Sequence, residues 1–281
     1  MTGGCGRVGK AVIELALAEK HSVVNLDRVP LADRPFQAGV EEREVNLTDY
    51  EAFEQALHGC EALIHLAAIP SPHAQAEPVV HNNNVQASYN ALSAAVSLGI
   101  HPVVLASSIN ATGAVFSRQP RFDYFPLDEA HLTYNEDAYS LSKWIAEQQA
   151  DSIARRHEGM KIASLRLHGV GPGRPPPAVL GDERSYWSAK QLWGYTTFDA
   201  AARACLLSLT ADFKGHERFY IVAPQTMMEV PSLALKERYY PDVPVRGDLS
   251  GYRSFFNCEK AERLLGWKHD LEEANVHTTP L

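Results

Sequence analysis

The stretch Thr2-Gly-Gly-Cys-Gly-Arg-Val-Gly9 decides the fold of this chain, because its glycines are spaced as G-x-x-G-x-x-G. Glycine permits a tight turn and lets the backbone approach a ligand closely. Apolar residues at helical spacing follow, at Val12, Ile13, Ala16 and Leu17. A helix that starts at such a loop directs its first N–H groups at an anion. The pattern predicts a phosphate-binding loop that opens a helix over 10–19.

A buried strand and an acidic residue come next. Ser22-Val-Val-Asn-Leu26 is apolar enough for a strand and ends at Asp27. An acid about 20 residues past a dinucleotide loop is placed to bind ribose hydroxyls. A carboxylate there repels a 2′-phosphate, which favours NAD over NADP, while Arg28 beside it would soften that preference. We therefore expect Asp27 and Arg28 to contact the cofactor.

Strand and helix patterns alternate through the first two thirds of the chain. Strands are predicted near 22–26, 42–45, 62–66, 102–106, 161–167 and 217–222, and helices near 10–19, 49–57, 79–98, 137–156 and from 197 onward. Such alternation predicts an α/β fold with a doubly wound parallel Rossmann sheet. We assign 1–171, with 193–223 returning to it, to an NAD-binding Rossmann domain. The segments 172–192 and 224–281 are assigned to a small C-terminal substrate lobe.

The predicted sheet lacks its first strand. A dinucleotide loop ordinarily follows a buried strand, whereas only Met1 and Thr2 precede Gly3. Omitting this central strand would leave backbone donors and acceptors on both neighbouring strands without partners. Three explanations are open: a chain shortened at its N-terminus, another segment that fills the gap, or a divergent protein with impaired cofactor binding. We favour the first.

Tyr139-Ser-Leu-Ser-Lys143 places a phenol and an ammonium group one helical turn apart. A phenol titrates near pH ~10, and a fixed cation close by favours the phenolate. We therefore expect Lys143 to lower the pKa of Tyr139. The strand near 102–106 continues into Ser107 and Ser108, and Ser108 is placed to hydrogen-bond the oxygen whose proton Tyr139 takes. The plainer interpretations are a serine turn and an ordinary helix aromatic. Tyr134 has no Lys four positions later.

The glycine loop and the set Ser108, Tyr139 and Lys143 together resemble the extended short-chain dehydrogenase/reductase superfamily, in its NAD-dependent epimerase/dehydratase branch. Five further stretches are similar to landmarks of that family, in the same order: Asn46-Leu-Thr-Asp49, His65-Leu-Ala-Ala68, Asn84-Val-Gln-Ala-Ser-Tyr-Asn90, Arg166-Leu-His-Gly-Val-Gly-Pro172 and Lys260-Ala-Glu-Arg-Leu-Leu-Gly-Trp267. Asn46 stands where the family often has Asp, and Ala87 and Ser88 replace Gly and Thr. The resemblance covers nearly the whole chain.

The resemblance implies hydride transfer to NAD, with Ser108, Tyr139 and Lys143 as the catalytic residues. It implies that the cofactor is bound by Gly3, Gly6, Arg7, Val8, Gly9, Asp27, Arg28, Asn46, Leu47, Leu66, Ala67, Ala68, Asn84, Tyr139, Lys143, Leu167 and His168. The expected substrate residues are Ser107, Ser108, Ile69, Asn110, His168 and Gly169. Asn84 is expected to hold a helix or a water chain that joins Lys143 to solvent.

The substrate is harder to predict. The short segment after Lys143 makes the chain similar in size to uronate dehydrogenase-like members, which act on a free sugar acid. A carboxylate substrate would need a cation, and Arg184 and Lys190 are the candidates, although a solvated surface role is the simpler interpretation of both. His65, His73 and His81 are eight residues apart, which suits no metal site, so no metal is expected.

Three functions remain open. The first is an NAD-dependent oxidoreductase acting on a hydroxyl of a small sugar or sugar-derived substrate. The second is an NAD-dependent sugar or nucleotide-sugar epimerase, and the third is a non-catalytic dinucleotide-binding scaffold or sensor. A dehydratase is disfavoured, because Ile109 and Asn110 stand where the dehydratases of the superfamily carry Asp-Glu.

Composition restricts the partners and the location. The net charge of −8 and the lack of a basic run argue against nucleic acid. No apolar run approaches about 18 residues, so no membrane partner is expected. Four scattered cysteines indicate a reduced, cytoplasmic protein. The resemblance implies a possible homodimer through the helices near 79–98 and 137–156. Ala87, Ala91, Ala94 and Ala95 suit either an outward stripe there or close packing on the sheet.

Overall fold

The structure, a computed structural model, describes residues 1–29, 38–178, 180–181 and 183–269, the side chains of 183–185 excepted. The strands are β1 (Val23–Asp27), β2 (Val40–Glu44), β3 (Leu63–His65), β4 (Pro102–Ser108), β5 (Lys161–Leu167), β6 (Val170–Gly171), β7 (Thr196–Thr197) and β8 (Gly215–Ile221). β1 pairs with β2, and β3, β4, β5 and β8 pair in that order, always in parallel. The short strands β6 and β7 pair with each other beside this sheet.

Residues 1–3 stand in the gap between β1 and β3. The Met1 carbonyl accepts from the Leu26 nitrogen at 2.8 Å, and the Gly3 nitrogen donates to the Leu26 carbonyl at 3.0 Å. On the other side, the Thr2 nitrogen donates to the Ile64 carbonyl at 2.9 Å. Thr2 thus forms parallel bridges to both neighbours and joins the two groups of strands into one sheet. The expected loss of backbone partners beside the glycine loop is therefore wrong, because this short segment supplies them.

Helices cover both faces of the sheet. They are α1 (Arg7–Ala18), α2 (Tyr50–Ala56), α3 (Glu77–Ser97), α4 (Ala138–Arg156), α5 (Glu183–Lys190), α6 (Phe198–Thr210), α7 (Ser232–Tyr239) and α8 (Glu259–Leu265). One apolar cluster contains buried residues of α1, α6 and α8, and a second contains those of α2, α3 and α4. The fold is a doubly wound parallel α/β fold, as the alternation predicts.

Four alanines of α3, at 87, 91, 94 and 95, lie inside the second cluster with exposures of 0–3%. Small side chains allow α3 to approach α4 and the sheet closely, and α3 and α4 form an extensive helix pair. Of the two alternatives left open for these alanines, an outward stripe and close packing, the structure has close packing.

Side-chain caps fix where the helices that carry the site begin. Asp137 precedes α4, and its carboxylate accepts from the Ser140 nitrogen at 2.9 Å. Thr197 caps α6 in the same way through the Ala200 nitrogen at 3.1 Å. Such caps stabilise a helix by about 1 kcal/mol. The cap at Asp137 places Tyr139 in the first turn of α4.

A third cluster lies beyond the carboxyl ends of the strands. It combines aromatic side chains from the loop after β4, from the region of α5 and from the chain after β8, such as Phe125, Trp193 and Phe255. In contrast, Ala261 and Leu265 of α8 belong to the first apolar cluster, together with residues of α1, α6 and the sheet. The division into a dinucleotide domain and a substrate lobe stays a prediction, and this packing places α8 with the former.

Candidate active site

The glycine loop has a shape that larger residues would destroy. Gly3 has φ +74°, and a Cβ there would lie 2.8 Å from the Ala67 nitrogen. A Cβ at Gly9 would collide with the Gly3 carbonyl oxygen. Gly6 is the N-cap of α1, and no side chain of the described residues caps that helix. The first N–H groups of α1 therefore have no side-chain cap among the described residues and can donate to the phosphates of a dinucleotide.

Polar side chains of β1 support this loop from one side. The Cys5 nitrogen donates to Asp27 Oδ2 at 3.1 Å, and the Gly4 nitrogen donates to Asn25 Oδ1 at 2.9 Å. Asp27 is buried at the carboxyl end of β1, and Arg28 next to it is exposed. Asn25 was not predicted as a site residue. Asn25 lies two residues before Asp27 on the same strand, and this spacing places both side chains on one face, which could have indicated its role.

The three predicted catalytic side chains come from β4 and α4. Lys143 Nζ lies 5.8 Å from the centre of the Tyr139 ring and donates to the Ala106 carbonyl oxygen at 2.7 Å. Ser108 Oγ accepts from the Asn110 nitrogen at 3.1 Å. All three catalytic candidates are buried.

The protonation states of this set follow from burial. Burial raises the pKa of Tyr139 to about 12, while the nearby Ser108 hydroxyl acts in the opposite direction. The pKa of Tyr139 is therefore raised in this structure and not lowered as expected, because desolvation outweighs the neighbouring groups. Burial lowers the pKa of Lys143 to about 8, against the opposing effect of the Glu147 carboxylate. At neutral pH the phenol is protonated and the ammonium is charged.

These residues line a cleft of about 350 Å³. Of the predicted cofactor and substrate residues, its wall contains Arg7, Val8, Leu66, Ala68, Ser107, Ser108, Asn110, Tyr139, Lys143, Leu167, His168 and Gly169. The wall does not include Gly3, Gly6, Gly9, Asp27, Arg28, Asn46, Leu47, Ala67, Ile69 or Asn84. The wall also contains Pro70, Ala106, Ile109, Val115, Phe116, Val170, Trp187, Gln191 and Phe198, which were not predicted.

Two predicted substrate residues use their polar atoms within the protein. Ser107 Oγ donates to Glu147 Oε1 at 2.6 Å. His168 Nε2 donates to the Gln191 carbonyl at 2.9 Å, and its Nδ1 accepts from the Gly169 nitrogen at 2.6 Å. Burial lowers the pKa of His168 to about 4, so the ring is neutral at pH 7. Both residues shape the wall of the cleft.

Asn84 holds α3 in place. Its Oδ1 accepts from the Ile69 nitrogen at 2.8 Å, and its Nδ2 donates to the Ile69 carbonyl at 3.0 Å and to Ser142 Oγ on α4 at 3.1 Å. Of the two expected roles, this geometry favours the helix-holding one. Asn46 is exposed and folds back on Thr48 at 2.9 Å, which fixes the turn before α2.

Two further candidates, Lys190 and His65, do not line the cleft. Lys190 Nζ donates to the carbonyls of Ser117 and Arg118 at 2.7 and 3.0 Å, and the side chain of Arg184 lies outside the described residues. His65 Nδ1 is 2.9 Å from Thr2 Oγ1, and burial lowers the pKa of His65 to about 3. The described residues contain no group of side chains suited to a metal ion. They also contain no helix with the length and apolarity needed to cross a membrane.

An aromatic wall, formed by His73, Phe116, Trp187 and Tyr139, borders the cleft. The Phe116 ring makes edge contacts with the other three, at centroid distances of 5.7 Å to His73, 6.0 Å to Trp187 and 5.9 Å to Tyr139. Trp187 remains 43% exposed. Phe116 and Trp187 follow no periodic pattern in the sequence, so only the fold brings them to the site.

The model of the NAD dependent epimerase/dehydratase family matches residues 1–217. The chain belongs to this family. An NAD-dependent glucose-6-phosphate dehydrogenase of Haloferax volcanii is 30% identical over 185 residues, which are 63% of this chain and 70% of the relative. A putative UDP-glucose 4-epimerase of Methanocaldococcus jannaschii is 26% identical over 97% of this chain and 93% of its own.

Solved structures of this family share the fold. A mutated uronate dehydrogenase superimposes with a TM-score of 0.71 at 21% identity, over 100% of this chain and 86% of that one. The resemblance stated from the sequence is thus confirmed, and so is the Rossmann architecture. The named sequence relatives are enzymes, which leaves the non-catalytic scaffold without support among them.

Proposed function

We propose that this chain is an NAD-dependent oxidoreductase that oxidises a hydroxyl of a small sugar or sugar-derived substrate. One observation carries the proposal. Ser108 at the end of β4 and Tyr139 and Lys143 on α4 line a single cleft, and Arg7 and Val8 from the first turn of α1 line the same cleft. A proton acceptor and an anion-binding helix start therefore face one space.

The residues of this chain fit NAD. The glycine loop and the uncapped start of α1 would hold the pyrophosphate, Asp27 would hold the adenosine ribose, and Lys143 would hold the nicotinamide ribose. When bound, NAD supplies the hydride acceptor and, in its oxidised form, a positive charge beside the phenol.

Tyr139 acts as the base that takes the proton of the substrate hydroxyl. Ser108 donates a hydrogen bond to the same oxygen and stabilises the charge that develops on it. Because burial raises the pKa of Tyr139 to about 12, the phenol keeps its proton until positive charge gathers around it. Lys143, still charged at neutral pH, contributes part of that charge.

The aromatic wall supports a sugar as substrate. Phe116 and Trp187 present flat apolar surfaces on which the C–H face of a sugar ring packs. Among the described residues that line the cleft, the cationic side chains are Arg7 and Lys143, and we assign both to binding of the dinucleotide. A neutral sugar therefore suits the described part of the cleft better than a sugar acid does.

The test measures NAD binding by calorimetry and NADH formation across a panel of neutral sugars and uronates. Wild type should bind NAD and form NADH with at least one sugar. Tyr139→Phe should bind NAD with similar affinity and lose NADH formation by about 10²-fold or more. Tyr134→Phe is the matched control, because Tyr134 lies five residues earlier and hydrogen-bonds Asp123 away from the set. Equal rates for wild type and Tyr139→Phe would refute the assignment.

A sugar epimerase is the second candidate, favoured by the Methanocaldococcus jannaschii relative that aligns with 97% of the chain. Such an enzyme would retain NAD through purification and release no net NADH. Conversion of a UDP-sugar to its epimer without NADH release would establish it.

The cytoplasmic location and the homodimer are further proposals. All four cysteines are free, which agrees with a reducing compartment. Since the α3 alanines are buried, a dimer through α3 and α4 would rest on side chains such as Tyr89, which is 51% exposed on α3. Light scattering on wild type and Tyr89→Glu tests this interface.

A further inference from the structure

Glu147 is a carboxylate with 0% exposure in the middle of α4, one turn after Lys143. Burying a lone carboxylate costs several kcal/mol unless partners compensate for its lost hydration. Both oxygens are saturated. Oε1 accepts from Ser107 Oγ at 2.6 Å and from Arg166 Nε at 2.9 Å, while Oε2 accepts from Arg166 Nη2 at 2.8 Å and lies 3.0 Å from Arg218 Nε.

The partners of Glu147 come from three neighbouring strands. Ser107 lies on β4, Arg166 on β5 and Arg218 on β8, and those strands pair side by side. One side chain therefore fastens α4 across three strands at the level of the cleft. Ser107 directly precedes Ser108, and α4 carries Tyr139 and Lys143. Glu147 does not itself line the cleft, yet it joins the two elements that carry the site.

We propose that Glu147 is a positioning residue, which holds α4 against the end of β4 and so sets the relative placement of Ser108, Tyr139 and Lys143. The inference rests on the proposed function of this set. The negative charge of Glu147 also opposes the effect of burial on the Lys143 ammonium and raises the pKa of Lys143. An ion pair elsewhere in the cluster would neither position the catalytic set nor raise that pKa.

The charged and titratable groups around Glu147 come from every element packed on it. They are Arg166 from β5, Arg218, His216 and Tyr220 from β8, and Lys143 and Asp151 from α4. Burial alone would raise the pKa of Glu147. The charge and hydrogen bonds of Arg166 outweigh burial, so the pKa of Glu147 lies below its usual range. Glu147 stays ionised across the pH range of an assay.

Asp151 offers a matched control on the same helix. It pairs with Arg218 and His216 at the outer end of the cluster, and 23% of its side chain is exposed. Its ion-pair partners among the described residues include neither Arg166 nor any group that Ser107 contacts. Asp151→Asn removes a charge from the cluster without changing the contacts of Ser107. A purely structural cluster would respond alike to both changes.

The first experiment compares Glu147→Gln with Asp151→Asn. We expect Glu147→Gln to lower kcat about 10- to 100-fold with KM and NAD affinity within about 3-fold, and Asp151→Asn to leave kcat within about 2-fold. Glu147→Asp should recover part of the loss. Equal losses in the Gln and Asn variants, or unchanged kcat in Glu147→Gln, would overturn the proposal.

A second readout needs no activity. The apparent pKa of Lys143, followed by NMR on protein with reductively methylated lysines, should fall in Glu147→Gln and stay unchanged in Asp151→Asn. If wild type forms no NADH, the proposed function fails, and this titration still decides whether Glu147 acts on Lys143.

If Glu147→Gln does not fold, Ser107→Ala is the alternative variant. It removes one hydrogen bond to Glu147 and leaves the charge of Glu147 paired with Arg166 and Arg218. It should lower kcat about 3- to 10-fold, and an unchanged kcat would count against the proposal.

Discussion

The ammonium group of Lys143 donates a 2.7 Å hydrogen bond to the carbonyl oxygen of Ala106, two residues before Ser108. This contact ties the first turns of α4 to the end of β4. The pKa of the Tyr139 phenol is nevertheless raised, because burial removes its hydration and outweighs the groups around it. The Lys143 ammonium is therefore held in place at the end of β4 by the protein itself.

The pH dependence of kcat/KM should report Lys143. Its pKa is lowered to about 8 by burial, so its charge is present below that value and lost above it. We expect kcat/KM to fall as the pH rises through about 8, because the group that favours the phenolate is then neutral. In Lys143→Arg the side chain stays charged, and this alkaline decline should disappear even if the maximal rate drops. A decline that persists unchanged in Lys143→Arg would assign it to another group.

The glycine loop should tolerate no side chain at position 3. Gly3→Ala must adopt φ +74° and place a Cβ 2.8 Å from the Ala67 nitrogen. We expect a lower free energy of unfolding and NAD affinity reduced about 10-fold or more. Gly59→Ala is the control, because Gly59 also has positive φ (+84°) but its Cβ would meet nothing within 4 Å. The control should lose about 1–2 kcal/mol from backbone strain alone and keep NAD affinity. Equal losses in both variants would contradict the packing argument.

Asp27 should govern both the affinity and the choice of the dinucleotide. Asp27→Ala removes the acceptor for the Cys5 nitrogen and the carboxylate that repels a 2′-phosphate. We expect NAD affinity to fall about 10-fold and the ratio of NAD to NADP affinity to move toward one. Calorimetric titration with both dinucleotides measures this, and an unchanged ratio would show that another residue makes the choice.

Acid should destabilise the fold through its buried histidines His65, His131 and His168. Burial lowers the pKa of His65 to about 3 and that of His168 to about 4, below the usual value of 6.5. The unfolded chain therefore binds protons that the folded chain does not, and stability falls as the pH drops below about 6.5. The slope should be about 1.4 kcal/mol per pH unit for each histidine.

Urea unfolding between pH 7 and 5 measures that slope, in a range above the titration of most carboxylates. His168→Gln keeps a donor near the Gln191 carbonyl and removes one titrating ring, so it should reduce the slope by up to about 1.4 kcal/mol per pH unit. His65 and His131, whose pKa burial also lowers, would continue to contribute. His21, whose side chain is 54% exposed, is the control position, and His21→Gln should leave the slope as it is. An unchanged slope in His168→Gln would refute the assignment.

The aromatic wall should contribute to substrate binding more than to chemistry. Trp187→Ala removes the exposed ring at the cleft, and we expect KM for the sugar to rise about 5- to 50-fold with kcat within about 3-fold. Tyr186→Ala is the control, because Tyr186 is 54% exposed next to it but does not line the cleft. Similar KM values in both variants would remove Trp187 from the binding site.

The elements with strong periodicity were predictable from the sequence. The strand expected at 161–167 is β5 (Lys161–Leu167), and the helix expected at 137–156 is α4 (Ala138–Arg156). In contrast, α5 and α7, which fall in the predicted lobe, were not predicted, since each has only eight residues and its packing depends on distant segments. The place of residues 1–3 in the sheet depends on β1 and β3, which no local pattern reveals.

The site was predictable where chemistry is local in sequence. Tyr139, Lys143 and Ser108 lie on short recognisable stretches, and the fold brings them to one cleft. The Glu147 cluster was missed, because its arginines lie on strands far along the chain. Glu147 itself stands four residues after Lys143, and that spacing on a helix was the one local signal of it.

Trp187 gives the protein an optical reporter inside its own cleft. Of the other three tryptophans, Trp193 and Trp267 are 0% and 2% exposed, and Trp144 on α4 is partly buried but does not line the cleft. Their emission should therefore change less than that of Trp187 when a ligand enters. Trp187 faces both solvent and the cleft, so its emission should shift and weaken as water is displaced from the ring. Occupancy of the cleft can thus be followed by intrinsic fluorescence, on unlabelled protein and before any turnover.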